Sequence, residues 1–516
     1  MTPSLTLLTF APLAGALPIL FLPARAKDAA RTIALAAGLL TLALAAALFV
    51  RFDGTSGACQ FVENRAWLGA GIHYHLGVDG ISVVLVLLTA FIFPLALLSA
   101  RTAVTERVKE FSVLMLVLET GILGVFVSLN LFLFYVFWEA MLIPMYFLIG
   151  MWGGPRRVYA TLKFVLFTMA GSLLMLVGIF VLFVLQSGTG VPPSLDLAAL
   201  ERLAVAPGLQ TWLFLAFGLA FAIKIPLLPF HTWLPDAHVE APTAGSVVLA
   251  AVLLKMGAYG FLRFGLPLFP DAAARFLPAL SALALAGILY GGLMALVQKD
   301  IKSLVAYSSV SHMGLIMLAA FSLSVEGLSG ALLQMVNHGV STGALFVCVG
   351  ILYERAHARR VDAFGGVAKV MPVFAALFLV SVLSSMGLPG LNGFAGEILC
   401  FVGVFGASRG LGIASVATVV LSAAYLLWMF RRVMHGPVTR DEVRGFKDAS
   451  ARERLVLVPF ILVMIWIGVA PRILLDKMEA SVVVLTGKLK SRQVSATLTP
   501  TPAPAAQTEK PEAREP

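Results

Sequence analysis

Hydrophobic residues occur along this chain in long runs, and polar residues are concentrated in the connections between the runs. An α-helix needs roughly 20 predominantly apolar residues to cross the hydrocarbon core of a bilayer. We therefore predict an all-α polytopic membrane protein of about 14 transmembrane helices. The predicted spans lie at residues 4–22, 32–50, 80–100, 111–129, 131–150, 164–186, 211–236, 243–264, 276–297, 303–323, 329–352, 371–404, 411–430 and 455–475.

The seventh and twelfth predicted helices contain helix-breaking residues near their middle. The seventh holds Pro226 and Pro229, and the twelfth holds Pro389, Gly390 and Gly393. A proline removes a backbone donor and clashes with the preceding turn, so we predict that both helices are discontinuous. Two broken helices that run in opposite directions are the sequence sign of an inverted-repeat transporter, whereas a single proline kink would be unremarkable.

This pattern divides the chain into five parts. Residues 1–110 hold helices one to three, 111–265 form a first transporter-like half of five helices, and 266–430 form a second, inverted half of five helices. Residues 431–485 hold a cytoplasmic loop and the last helix, and 486–516 are predicted to be a disordered tail, since the end of the chain is rich in Pro, Ala and Thr.

Composition and charge agree with a membrane body. Hydrophobic residues make up 59% of the chain and charged residues only 12%, against about a quarter in an ordinary soluble domain. The net charge of +10 comes from Lys and Arg in alternate connections, which is the pattern of short cytoplasmic loops. We therefore expect no nucleic-acid partner, and we predict that both termini lie on the side of the membrane away from the cytoplasm.

No cofactor site is expected in this chain. Cys59, Cys348 and Cys400 lie far apart in the sequence, which argues against a disulfide framework, a zinc site or an iron–sulfur cluster. The chain has no glycine-rich phosphate loop. Any redox or nucleotide chemistry must therefore belong to partner subunits.

Four charged residues lie near the centres of predicted helices: Glu139, Lys224, Lys255 and Glu397. A charge at the bilayer centre costs from about 2.5 to more than 10 kcal/mol, so such residues face the bundle interior and usually have a function. A buried lysine takes up and releases a proton as an anionic partner approaches and retreats. Glu139 is the predicted partner of Lys224, although a fixed ion pair that only orders the bundle is the alternative.

Histidines near these charges are candidates for a supporting role. His312 and His338 fall midway along the tenth and eleventh helices, and His231, His238 and Asp236 follow the first helix break. Histidine changes its charge near neutral pH and can relay protons through water. A satisfied polar contact is the alternative for each, and the spacing does not support metal binding.

Several segments resemble the M-type antiporter-like subunits of bacterial NADH:quinone oxidoreductase, respiratory complex I, which correspond to subunit 4 of the mitochondrial enzyme. These are FYVFWEAMLIPMYFLIG, FAIKIPLLPFHTWLPDAHVEAPTAGSVVLAAVLLKMGAYG, DIKSLVAYSSVSHMG and LQMVNHGVSTGALF. The resemblance implies proton input at Lys224 with Glu139, a hydrated axis past Lys255, and output at Glu397, where related subunits commonly carry lysine.

The resemblance also implies partners and a location in a bacterial inner membrane, with both termini on the periplasmic side. Neighbouring antiporter-like subunits and lipids would surround the chain, and FMN, iron–sulfur clusters and quinone sites would lie in other subunits. The predicted function is therefore proton translocation driven by electron transfer elsewhere in the complex. One rival is a subunit of a multi-chain cation/proton antiporter or an ion-pumping hydrogenase, and a second rival is a structural membrane scaffold.

Overall fold

The computed structural model of the chain describes residues 4–69, 71–188, 192–438 and 440–498, with side chains described as far as residue 491. It is a mostly helical membrane protein, as predicted. Within these residues, 11 helices are long and apolar enough to cross a membrane, or up to 12 if a bent pair counts as one span. Shorter apolar helices lie at the predicted first and twelfth spans, so the total of about 14 stays a prediction.

The principal helices are numbered in chain order. They are α1 (Leu5–Phe21), α2 (Lys27–Arg51), α3 (Gly80–Ala103), α4 (Val108–Val127), α5 (Leu131–Trp152), α6 (Arg157–Ser187), α7a (Pro207–Lys224), α7b (Trp233–Glu240), α8 (Thr243–Leu268), α9 (Pro270–Val297), α10 (Ile301–Ala320), α11 (Val325–Ala356), α12a (Pro372–Ser385), α12b (Asn392–Ala407), α13 (Arg409–Met434), α14 (Ala451–Val469) and α15 (Arg472–Leu498).

A β-hairpin between α2 and α3 was not predicted from the sequence. Strands β1 (Gln60–Gly69) and β2 (Ile72–Val78) pair antiparallel. The segment carries charged side chains among its apolar ones, so it is too polar to cross a bilayer. Glu63 of β1 accepts hydrogen bonds from the backbone of Leu5 and the hydroxyl of Ser4, and these bonds tie the hairpin to the start of α1.

The hairpin defines one end of the bundle, which we call the hairpin side. The opposite end, which we call the basic side, holds Lys and Arg residues in or beside the helix connections, such as Arg25, Arg107 and Arg360. The prediction that basic residues gather in alternate connections therefore corresponds to one physical face of the molecule.

The predicted disordered tail begins later than residue 486. Helix α15 continues to Leu498, bends by 66° from α14, and contacts α3, α9 and α11. Within the predicted tail, Thr486 and Leu489 are only 3% and 4% exposed. Close packing therefore holds residues that composition alone assigned to solvent, while residues 499–516 lie outside the described part.

The most enclosed helices lie at the centre of the bundle. Helices α8 and α11 are completely buried over their most apolar windows and α10 is 89% buried, whereas α6, α9 and α13 are 33–39% buried. A helix that is hydrophobic on all sides can be buried by protein or by lipid. Here α8, α10 and α11 are enclosed by protein, and they carry Lys255 and both central histidines.

Candidate proton-transfer site

Both predicted helix breaks are present. Helix α7a ends at Lys224 and α7b begins at Trp233, whereas α12a ends at Ser385 and α12b begins at Asn392. The indole of Trp233 donates to the carbonyl of Ile223 (2.9 Å), which satisfies an acceptor that the break frees. Non-helical backbone at membrane depth requires such protein partners.

Lys224 is at the C-terminal end of α7a and is only 1% exposed. Its ammonium lies 3.7 Å from the sulfur of Met141 and 5.0 Å from the centroid of the Trp138 ring. Neither partner neutralises a charge as a carboxylate would. The ammonium is therefore held by polarisable groups and a cation–π contact, which leaves its proton available for transfer.

Glu139 does not form the direct ion pair with Lys224 that the fixed-pair alternative requires. Among the described residues, no Lys, Arg or His nitrogen lies within 4.0 Å of the Glu139 carboxylate, although its charge acts on Lys224 from a greater distance. Glu139 is also partly exposed on α5. The two groups thus interact electrostatically without being locked together.

Lys255 lies in the middle of α8, has no exposed surface and contacts a histidine. Its Nζ atom donates to the carbonyl of Ala250 (2.6 Å) and to Nδ1 of His338 (2.7 Å). The other ring nitrogen of His338, Nε2, has no hydrogen-bond partner within the described structure. A buried nitrogen of this kind marks a position for ordered water.

His312 connects this pair to Glu397. The rings of His338 and His312 have centroids 5.8 Å apart. Nδ1 of His312 lies 3.6 Å from Oε1 of Glu397, and Nε2 of His312 lies 3.5 Å from the hydroxyl of Tyr425. Glu397 is only 2% exposed. Four sequence-predicted residues on α8, α10, α11 and α12b therefore form one contiguous buried series.

Side-chain amides, which the sequence analysis missed, hold the second helix break beside Glu397. Gln334 donates to Glu397 Oε1 (3.4 Å), Asn337 donates to the carbonyl of Asn392 (2.7 Å), and Asn392 donates to the carbonyl of Asn337 (3.2 Å). Gln334 and Asn337 lie three residues apart on α11, and Asn392 begins α12b. None of the three carries a charge, so the sequence pattern did not distinguish them from ordinary polar residues. They fix the position of α12b against α11.

The remaining predicted residues occupy two different environments. His238 is completely buried on α7b, stacks on Phe346 at 4.5 Å, and has two ring nitrogens without a hydrogen-bond partner in the described residues. His231 contacts the ring of Tyr290 at 4.9 Å. Asp236 accepts a hydrogen bond from Lys163 at 2.7 Å and is partly exposed. Of these three residues, only His238 has no exposed surface, as is also the case for Lys255.

A cluster of charges on the basic side was also missed. Lys302 is buried and donates to the carbonyl of Ala241 (2.6 Å), and Arg359 lies 3.9 Å from Glu240 and 3.3 Å from Asp300. These residues sit at helix ends, where the sequence pattern gives the same signal as an ordinary basic connection. The sequence analysis therefore used these Lys and Arg residues only to orient the chain in the membrane and did not consider a role in a site.

The described residues contain no group of three or more His, Cys, Asp or Glu side chains arranged to hold a metal ion. Cys59, Cys348 and Cys400 are free thiols, and the latter two are buried. The buried series is built from amine, imidazole and carboxyl groups that can each bind and release a proton. Groups of this kind can exchange protons with one another.

Comparisons of the sequence with a family model and with individual proteins indicate the same family. The family model described as NADH:quinone oxidoreductase/Mrp antiporter, TM, matches residues 128–422. Over 490 residues the chain is 44% identical to NADH-quinone oxidoreductase subunit M of Rhodobacter capsulatus, covering 93% of this chain and 95% of that protein. It is 41% identical over 477 residues to NADH-ubiquinone oxidoreductase chain 4 of Arabidopsis thaliana, covering 92% and 95%.

A solved structure also matches. A chain from the structure of respiratory complex I from Thermus thermophilus with bound NADH superimposes with a TM-score of 0.84 at 35% identity, covering 93% of this chain and 99% of that one. The similarity thus extends over nearly the whole chain in both sequence and fold, as the sequence motifs indicated.

Proposed function

The chain belongs to the NADH:quinone oxidoreductase/Mrp antiporter transmembrane family, and on that premise we propose that it translocates protons as the M-type subunit of NADH:quinone oxidoreductase. The observation that carries this proposal is the buried series Lys255, His338, His312 and Glu397. Neighbouring groups in this series are in contact or close enough for one water molecule to bridge them. A chain of proton-binding groups enclosed by protein is what conduction across a bilayer requires.

The proton enters this series from Lys224. The negative charge of the Glu139 carboxylate stabilises the protonated form of Lys224. When this electrostatic stabilisation weakens, Lys224 releases its proton toward Lys255. Helices α7a and α8, which carry the two lysines, pack closely at Gly257. A side chain at Gly257 would collide with Ile225 and with the carbonyl of Phe221. On this proposal, water carries the proton from Lys224 to Lys255.

The histidines carry the proton onward. Nδ1 of His338 accepts a proton from Lys255, and its Nε2 releases one toward His312. His312 passes it to Glu397, which discharges it on the other side of the membrane. Because electron transfer takes place in other subunits, FMN, iron–sulfur clusters and quinone belong to those partners, and this chain contributes no redox centre.

The surroundings of the chain follow from the same proposal. Other antiporter-like subunits and lipids cover its apolar outer faces. The basic side faces the cytoplasm of a bacterial inner membrane, which places both termini on the periplasmic side. The partly exposed Glu139 is then available to charges in a neighbouring subunit, which supply the coupling between subunits.

The assembled complex in membrane vesicles tests this function. Lys224→Ala and Glu139→Gln should each remove this subunit's contribution to the protons pumped per NADH oxidised, because the input lysine is lost or no longer modulated. Glu326→Gln is the control, since Glu326 is an exposed carboxylate in the first turn of α11. Wild-type pumping by fully assembled Lys224→Ala complex would refute the proposal and favour a scaffold role.

A further inference from the structure

A large cavity opens on the hairpin side, away from Glu397. Its volume is about 540 Å³, and its lining includes Cys59, His75, Asp79, Arg263 and Lys488. The walls come from the hairpin region, α3, α8 and α15. Asp79 and Arg263 have side chains only 7% and 9% exposed, whereas Lys488 is 48% exposed. The cavity therefore runs from solvent to a buried ion pair.

This ion pair separates the cavity from the interior of the bundle. Nη2 of Arg263 lies 2.6 Å from Oδ1 of Asp79, and the same carboxylate caps α3 through the backbone N–H groups of Ile81 and Ser82. The pair is short and well supported, so it forms a closed inner end to the cavity. Breaking it leaves an uncompensated buried charge, so it opens only when one partner is neutralised.

Helix α8 connects the ion pair to the buried series. Lys255, Tyr259 and Arg263 follow one another at intervals of four residues. The hydroxyl of Tyr259 accepts a hydrogen bond from Nε of Arg263 (3.1 Å) and donates one to the carbonyl of Phe126 (3.0 Å). The eight residues from Lys255 to Arg263 span about 12 Å of helix. Two π-helical segments, Leu249–Leu253 and Phe261–Gly265, flank this part of α8, and such segments are frequent at functional sites.

We propose that Tyr259 and the Asp79–Arg263 ion pair form a gated second outlet, through which protons leave the buried series at Lys255 and enter the hairpin-side cavity. This inference rests on the proposed proton-translocating function. The ammonium of Lys255 gives a proton to water, and the oxygen of Tyr259 accepts that proton. The Tyr259 hydroxyl turns away from the Phe126 carbonyl, to which it donates in this structure, and releases its own proton to the carboxylate of Asp79.

Protonation of Asp79 opens the gate because it removes the charge that holds Arg263. Arg263 keeps its own proton throughout and acts by position and charge. Asp79 then releases its proton to water in the cavity, becomes anionic and pairs with Arg263 again. No oxidant, reductant or bound ion takes part in this sequence.

The test compares variants of the assembled complex in vesicles, with Lys224→Ala defining complete loss of this subunit's pumping. Glu397→Gln blocks the first outlet and should leave part of that pumping. Adding Tyr259→Phe, which removes one hydroxyl, should lower protons per NADH to the Lys224→Ala value. Tyr74→Phe is the matched control, because its hydroxyl contacts Thr6 on the same side of the membrane but lies outside the route.

A second variant series separates a transfer role from a structural one. Asp79→Glu keeps a carboxyl group and should preserve residual pumping in the Glu397→Gln background, whereas Asp79→Asn should abolish it. A merely structural hydroxyl at Tyr259 would change the melting temperature but not the protons per NADH. Equal pumping by Glu397→Gln with and without Tyr259→Phe overturns the second outlet. Normal pumping by Lys224→Ala overturns the proposed function instead.

Discussion

At the scale of single residues, the position of Glu397 depends on a glycine in the second helix break. Gly387 has φ +78°, and a Cβ atom there would lie 2.3 Å from Oε2 of Glu397. Gly390 has φ +90° but no atom within 4 Å of the corresponding Cβ position. The two glycines therefore share a backbone requirement, but only Gly387 also makes room for the carboxyl group.

This difference predicts distinct effects of two alanine substitutions. Gly387→Ala and Gly390→Ala should each destabilise the chain by about 1–2 kcal/mol, because alanine is strained in the left-handed region. Only Gly387→Ala should also displace Glu397 and slow proton pumping. Thermal unfolding and vesicle pumping measured on both variants check this, and equal pumping defects in the two would show that backbone strain alone controls the break.

The sequence identified the charged residues at the centre of the bundle but not the polar side chains that hold their helices in place. Lys255 and Glu397 stand out because charge inside an apolar run is costly. Asn337 and Asn392 carry no charge, and their role depends on contacts between α11 and α12b that no local pattern records. The separation of Glu139 from Lys224 is likewise a property of tertiary packing.

At the scale of elements, the β-hairpin is fastened to the loop before α7a by a polar cluster. Nδ1 of His73 lies 2.8 Å from Asp196 Oδ2, Nδ1 of His75 lies 3.2 Å from Oδ1, and Asn130 donates to Oδ1 at 2.9 Å. Partial burial opposes ionisation of Asp196, but the contacts with His75, His73 and Asn130 outweigh it and lower the pKa of the carboxyl. The hairpin is thus held by an anion.

Asp196→Asn should therefore lower the free energy of unfolding at pH 7 by about 1–3 kcal/mol. Because the folded-state pKa lies below the ordinary value of 3.8, the stabilisation is complete above that value and is lost as the pH falls through the folded pKa. Unfolding of the full chain in detergent should show wild type and variant converging below about pH 4.

The control for this comparison is Asp476→Asn, since Asp476 is 60% exposed and pairs with Arg472 on the surface of α15. Its effect should stay below about 1 kcal/mol at every pH. A difference between wild type and Asp196→Asn that is constant from pH 7 to pH 3 would contradict the charge-based account of the hairpin.

The arrangement of helices was more predictable than that of the connections. Both discontinuous helices were located from proline and glycine, because these residues disrupt the same backbone hydrogen bonds in any context. The hairpin was missed because its strands mix charged and apolar side chains, so they gave no apolar run of the kind that marks a membrane span. Helix α15 extends beyond the predicted start of the tail because it packs on α3, which composition does not reveal.

At the scale of the whole molecule, the most enclosed helices carry the titratable groups, and less buried helices surround them. Lys255 occupies the junction of this system, since it contacts His338 on the way to Glu397 and lies two turns of α8 before Arg263. Input from Lys224 must reach Lys255 before a proton can take either outlet. Loss of Lys255 should therefore stop conduction whichever outlet dominates.

The most direct test is the number of protons pumped per NADH oxidised by the assembled complex carrying Lys255→Met, with Lys109→Met as control because Lys109 binds carbonyl groups at the basic side. The account predicts that Lys255→Met loses the whole contribution of this subunit, as Lys224→Ala does, while Lys109→Met pumps normally. Wild-type pumping by assembled Lys255→Met complex would contradict it.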